Sequence, residues 1–341
     1  MNRTFRKKIN KKSMKSYAWI VIVLVTGFLK SDAQDFHLSQ YDAAVLYLNP
    51  ALTGSYFKEK TDYRLCVDYR TQWKSVSNNP YSTAYIGFDM SKKRFGMGGY
   101  FLNNHSGTGG FNTFNFMLSG SYQITDNAKG PHYLSVGLQA GVINKSFNPD
   151  KFTYDSQYSG SSATGFDESL ASNEIFSKTN LLKFDANMGV FYKYKEKYSK
   201  WHPFIGLSVY HATMPNESFT NEEKRLPIRM VLYGGSDIII TETLKITPTV
   251  LFMTQDKAHE LNIGALGYYN ISDTKYDVIF GLNYRMKDAV IMQFGIKQEG
   301  HQFRVSYDIN TSYLNKFSGS KGGIEFSLIL TARKNARGFQ F

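Results

Sequence analysis

From Tyr63 onward the chain alternates apolar and polar residues with a period of two, and the alternation hardly stops. Tyr63, Leu65, Val67 and Tyr69 share one face, and Arg64, Asp68 and Arg70 the other, as the pleat of a strand requires. The same reading places Ala84, Ile86, Phe88 and Met90 on one face, then Phe114, Phe116 and Leu118, then Leu134, Val136 and Leu138. Later segments are clearer: Leu182, Phe184, Ala186, Met188, Val190, Tyr192 and Tyr194 are opposed by Lys183, Asp185, Asn187 and Lys193. Between Tyr63 and Thr331 the pattern gives about fourteen segments, each of roughly nine to fifteen residues, long enough to cross a bilayer at a tilt. The expected fold is all-β: a transmembrane antiparallel β-barrel of about fourteen strands over residues 63–331.

Loop lengths test that count. If both termini lie on the periplasmic side, every odd connection faces outward; these include 72–80, 103–110, 147–180, 212–224 and 310–320. The even ones include 91–93, 125–130, 196–200, 241–243, 272–274 and 299–300. A soluble β-sandwich has no reason to sort its loops by parity, so the sorting points to a barrel. Aromatic residues at strand ends, such as Tyr192, Tyr194 and Trp201, or Tyr268, Tyr269 and Tyr276, are expected at headgroup level.

The stretch ahead of the alternation breaks the pattern. In Asn49-Pro50-Ala51-Leu52-Thr53-Gly54, Pro50 suits the first position of a helical turn and Gly54 can close it at positive φ. Residues 34–62 therefore read as a compact plug segment, held at the periplasmic mouth of the barrel, with Asn49, Pro50, Ala51, Leu52 and Gly54 as its motif.

Residues 1–33 carry a basic start, an apolar run over 17–29 and a small-x-small site at Ser31-Asp32-Ala33, the form of a cleavable signal peptide. Of the 40 Lys/Arg and 28 Asp/Glu, eight and one lie there, which leaves 32 and 27 and lowers the net charge from +12 to +5. That weakens any case for nucleic acid. Cys66 is a lone cysteine and cannot form an internal disulfide. No run reaches the eighteen or so apolar residues of a spanning helix. The cell outer membrane is the expected location.

Candidate chemistry is sparse. The seven histidines lack paired metal-ligand spacing, and no nucleophile signature stands out, so no catalytic, metal or cofactor site is expected. A barrel hydrolase would need a rim Ser or Asp bonded to one of the histidines. Phe95-Gly96-Met97-Gly98-Gly99-Tyr100 lies inside a strand with no helix after it, so its glycines point to close packing or bending and not to a phosphate loop. Glu260, Asp277, Arg285, Arg304, Asp308 and Glu325, together with Lys297, fall on the lumen face; their mixed signs suggest networks that tie plug to wall. Arg70, Gln72 and Trp73, at the end of the first strand, with Asn103 and Asn104, are candidate rim or partner contacts. The loop 147–180 is long enough to be either disordered or a lid.

These residues together resemble the PorP/SprF membrane proteins of the type IX secretion system. The resemblance is carried by Ser39-Gln40, the Asn49–Gly54 motif, Tyr69-Arg70-Thr71-Gln72-Trp73, Phe95-Gly96-Met97-Gly98 with Asn103-Asn104, and Gly206-Leu207-Ser208. It continues in Tyr307-Asp308-Ile309-Asn310-Thr311-Ser312 and Gly323-Ile324-Glu325-Phe326-Ser327-Leu328. The family has an Asp more often where Asn104 stands, and a basic stretch, residues 332–341, follows the last expected strand. The resemblance implies a non-enzymatic outer-membrane component of the secretion and gliding machinery. Such a component supports export or surface anchoring of a large adhesin with a C-terminal secretion domain, and contacts periplasmic and lipoprotein parts of the machine. The alternative is an outer-membrane channel for hydrophobic small molecules resembling the long-chain fatty-acid importers, which are also fourteen-stranded and carry an Asn-Pro-Ala element in an N-terminal hatch.

Overall fold

The computed structural model describes residues 35–340 apart from 56–60, 76–78, 108, 126–129, 161–164, 168, 314 and 336–337; the expected signal peptide lies outside the described residues. The alternating segments form β1 (Tyr63–Gln72), β2 (Tyr81–Lys92), β3 (Phe95–Ser106), β4 (Phe111–Gln123), β5 (His132–Ser146), β6 (Asn180–Tyr194) and β7 (Trp201–Tyr210). They continue as β8 (Arg229–Ile239), β9 (Leu244–Gln255), β10 (Ala258–Asn270), β11 (Tyr276–Arg285), β12 (Ala289–Gln298), β13 (His301–Asn310) and β14 (Lys321–Asn335). Each pairs with the next in sequence, and β1 pairs antiparallel with β14 from Tyr63↔Ala332 to Gln72↔Gly323. The sheet is therefore a closed barrel of fourteen strands with no free edge between first and last.

The period-two pattern decides which side of the wall each residue takes. Leu138, Leu282 and Phe294 stand outward and are at least 59% exposed, while Arg304, Glu325 and Asp185 point inward and are fully buried. An apolar outer wall is the arrangement a bilayer imposes, and this is an outer-membrane barrel. Its interior combines hydrogen-bonded polar groups with apolar side chains such as Leu102, Met117 and Leu251 packed on the N-terminal segment. No helix among the described residues is long and apolar enough to cross a membrane.

The loop sorting is real but uneven. The connections 147–179, 211–228 and 311–320 all open at one end, yet 256–257 and 286–288 at that end are tight turns, and 124–131 lies at the other. Nor is the long loop shapeless: Phe147 packs edge-on against Phe176 and Phe219, at centroid distances of 5.0 and 4.7 Å. Tyr268 departs from the girdle expectation. Its ring faces inward between Lys245 and Lys297, because it shares the parity of Glu260 and Asn262 on β10. The strand β14 also runs past residue 331 to Asn335, and β15 (Gly338–Gln340) pairs back on it.

Residues 35–55 lie inside the ring, since their hydrogen bonds reach strands on every side of it. Tyr41 reaches Thr249 on β9, Leu46 is bonded by Gln139 on β5, and Ser39 reaches Asp308 on β13. Asp35 sits at the long-loop end beside His211 and Gln255, and Gly54 at the short-turn end beside Asp89 on β2. The segment thus runs along the lumen from one end to the other, where the sequence suggested a knot at one mouth. Between the two ends lie α1 (Val45–Leu48) and a 3-10 turn, Pro50–Leu52. A second helical turn, α2 (Asn315–Ser318), lies in the loop before β14.

Candidate functional site

The knot is built as its residues demand. Asn49 caps the turn, its Oδ1 accepting from Ala51 N at 2.8 Å, Pro50 fills the position that has no use for an N–H, and Gly54 closes at φ +64°. Asn49 also docks it: Nδ2 donates to Val190 O on β6 at 3.0 Å and to Leu207 O on β7 at 3.3 Å. The amide accepts from the turn and donates to two wall carbonyls at once, which a hydroxyl with its single proton cannot do.

The wall offers a matching seat. Strand register places Gly96, Ser121, Gly137, Gly189 and Ser208 side by side on the inner face of β3, β4, β5, β6 and β7. A Cβ at Gly137 would stand 2.3 Å from Pro50 C, one at Gly189 2.0 Å from Asn49 Oδ1, and one at Gly96 2.0 Å from Thr53 O. These positions accept the backbone of the knot only because they have no side chain. The two serines supply polarity, Ser121 donating to Thr53 O at 2.6 Å and Ser208 to Leu48 O at 2.9 Å. Two residues to either side of Gly137 on β5, and so facing the same way, Ser135 donates to Ala51 O and Gln139 to Leu46 O. Every exposed carbonyl of a tight turn needs such a partner when water is excluded.

At the long-loop end the segment is held by charge. Glu325 accepts from the backbone N–H of Ser39 and Gln40 at 2.7 and 2.6 Å, and Ser39 Oγ donates to Asp308 at 2.8 Å. Arg70 bridges the two carboxylates, 2.8 Å from Asp308 and 3.1 Å from Glu325, and Arg285 adds a second contact to Asp308 at 2.8 Å. His37 pairs with Glu260 at 3.1 Å, and Arg304 with Asp42 at 2.9 Å. Ionic groups this deep stand only because each charge has a partner.

Asp35 anchors the end of the segment. Its carboxylate lies 2.7 Å from His211 Nε2 and 3.4 Å from Arg229, while His211 Nδ1 lies 2.8 Å from Asp185. Burial opposes a charged ring at His211, but the flanking carboxylates outweigh it and push its pKa up to about 9. Burial likewise opposes the Asp35 charge, and His211 and Arg229 hold that carboxyl well below the usual range. An aspartate bonded to a histidine is one half of a hydrolytic constellation, but here carboxylates occupy both ring nitrogens. None is left to take a proton from a hydroxyl.

Two cavities open at this end. One of about 700 Å³ is walled by Trp73, Tyr81, Phe111, Phe176 and Phe219 over a floor of Asp35, Phe36 and His37. The other, of about 340 Å³, shares His37, Gln72 and Trp73 and is lined by Arg70, Arg285 and Asp308.

The residues singled out from the sequence are distributed unevenly over this geometry. The five motif residues of the knot stay together, and Glu260, Arg285, Asp308 and Glu325 join Arg70 in one network. Asp277 lies apart at the short-turn end, accepting from Asn270 at 2.8 Å. The rim set does not form one patch. Arg70 is 2% exposed and its Nη2 donates to Gln72 at 2.8 Å, Asn104 is buried and donates to Thr83, and Asn103 takes the opposite face beside Asn112. Gln72 and Trp73 stand at both cavities. Sequence reasoning passed over Asp35, His211 and Arg229 and the row of small residues. Glycines and serines scattered across five strands become a row only when register is known.

Two solved structures share the fold. The Ralstonia pickettii toluene transporter TbuX superposes with a TM-score of 0.53 at 11% identity, covering 86% of this chain and 94% of its own. The monoaromatic hydrocarbon channel CymD gives 0.50 at 14% identity, covering 86% and 93%. No match is found among curated protein sequences. The model of the type IX secretion system membrane protein family PorP/SprF matches residues 30–329, which takes in the knot, its seat and the charged network. The barrel that holds them is an outer-membrane component of type IX secretion, and the chain belongs to the PorP/SprF family.

Proposed function

We propose that the barrel is a non-enzymatic support for a large exported adhesin, in which the N-terminal segment stoppers the lumen and the long-loop end engages the cargo. The reading rests on family membership together with one observation: residues 35–55 are bonded to the wall along the whole barrel, by serine hydroxyls, close backbone contact and the Arg64–Asp89 pair at one end and by a larger set of paired charges at the other. A lumen so filled suits a scaffold better than a conduit. Trp73, Gln72 and Asn104 line the larger cavity and are the contacts proposed for a partner; Asn103, on the outer face, is less well placed. The adhesin would carry a C-terminal secretion domain, and periplasmic and lipoprotein parts of the machine would meet the short-turn end.

The second reading, a channel for hydrophobic small molecules, draws on the aromatic lining of the larger cavity and on the fold shared with TbuX and CymD. Deleting the gene separates the two. Under the first reading one surface adhesin is retained inside or shed into the medium, and normal adhesin display would sink it. Uptake of toluene or a fatty acid by the purified barrel in liposomes would support the second.

A further inference from the structure

The outer face of the knot's seat is concave. Where β3–β7 present Gly96, Gly137 and Gly189 inward, their lipid-facing side forms a groove of about 720 Å³, within the roughly 300–1,000 Å³ of small-ligand sites. Its sides are Met97, Leu138 and Met188, and Gly120 between them adds no side chain: a Cβ there would meet nothing within 4 Å. The one lining hydroxyl that does not belong to an aromatic ring, Ser121 Oγ, is spent on Thr53 O inside the lumen. Phe95 and Tyr122, with ring centroids 5.0 Å apart, close the groove at the short-turn end, where β3 begins and β4 is about to end.

We propose that this groove binds an acyl chain of a glycerophospholipid from the leaflet at the short-turn end. The surroundings select that occupant. The groove lies in the wall of an outer-membrane barrel, offers no polar group to a peptide backbone, and has aromatic rings at the depth where a headgroup would sit. Its floor is the strand backbone on whose other side Pro50 and Asn49 rest, so only one layer of main chain separates the acyl chain from the knot. A filled groove backs the seat, and an emptied one leaves it free to flex. The inference does not depend on the cargo proposed above.

The test is photolabelling of the full barrel in nanodiscs made with a phospholipid whose acyl chain carries a diazirine. Labelling is expected to concentrate on residues 117–123 and 134–142 relative to the outward faces of β11 and β12. Gly120→Phe, which fills the groove, should lower that labelling about tenfold, while Leu282→Phe on the far wall should leave it unchanged. Proteolytic release of residues 35–55 should rise when the unaltered barrel is stripped of phospholipid, and should not rise in Gly120→Phe, whose ring backs the seat in place of the acyl chain. Even labelling around the barrel, or undiminished labelling in a folded Gly120→Phe, would overturn the proposal. So would crosslinking of a photoreactive residue at position 138 to a protein in native outer membranes. If Gly120→Phe does not fold, Gly120→Leu serves, and the labelling pattern of the unaltered barrel is decisive by itself.

Discussion

The two ends of the segment inside the barrel are fastened to the same wall in different proportions, one mostly by charge and the other mostly by shape. At the long-loop end, Ser39 and Gln40 sit among Arg70, Arg285, Asp308 and Glu325, and removing one charge strands its partner away from water. At the other end the turn over Asn49–Leu52 is held mainly by carbonyls bonded to Ser121, Ser135 and Ser208 and by three absent side chains. The Arg64–Asp89 pair closes it, Arg64 donating to Leu52 O at 3.2 Å and Asp89 accepting from Gly54 N at 2.6 Å. The first kind of anchor responds to pH and to charge substitution. The second responds chiefly to shape, and to charge through Arg64 and Asp89. A segment fastened in both ways can be released at one end while it stays seated at the other.

The sharpest way to break that contrast is Glu325→Ala. It removes the acceptor of two backbone N–H groups and one of the two carboxylates paired with Arg70, and we expect a loss of about 3–5 kcal/mol, as for a broken buried ion pair. Thermal unfolding in detergent measures the loss, and protease should reach residues 35–44 before the knot. Gly137→Ala should come next. Its methyl would collide with main chain that cannot move aside, at about 1–3 kcal/mol, and the knot end should become the accessible one. Release of both ends together in either variant would show that they are one cooperative unit.

Asn49→Asp keeps the capping acceptor but points a carboxylate at two carbonyl oxygens. A loss of about 1–3 kcal/mol is expected, with Asn49→Ala at the lower end of that range. A further test is the effect of pH on the Asp35 anchor. His211 has its pKa raised in the folded protein, so its contribution is complete below the unfolded value near 6.5 and is lost as pH rises through about 9. Asp35, with its pKa lowered, contributes above its unfolded value of 3.8 and loses that contribution on acidification below it. Hydrogen exchange or proteolysis at residues 35–40 should therefore rise from pH 7 to pH 10 while residues 49–54 stay protected. Equal loosening of both stretches would remove the distinction.

Much of the fold was legible in the chain because a wall with lipid on one side and a polar lumen on the other writes its period into every strand. Leu182, Phe184, Met188 and Val190 on one face of β6 leave no other reading. The motif from Asn49 to Gly54 was legible for a local reason, since Pro and Gly act on their own backbone. The depth to which the segment enters was not, because Asp35 and His211 are 176 residues apart and neither carries a local signal. Tyr268 was misplaced for a related reason: composition placed it in a girdle, while the parity of β10 turned it inward.

Period, turn chemistry and the sign of each inward residue are properties of short stretches, and the sequence alone determined them. Which carboxylate meets which arginine, and that glycines from three strands and serines from two fall in one row beneath a turn, was decided only by closure of the ring. Closure fixes the register of every pair at once, and register is a relation between segments that no single segment contains.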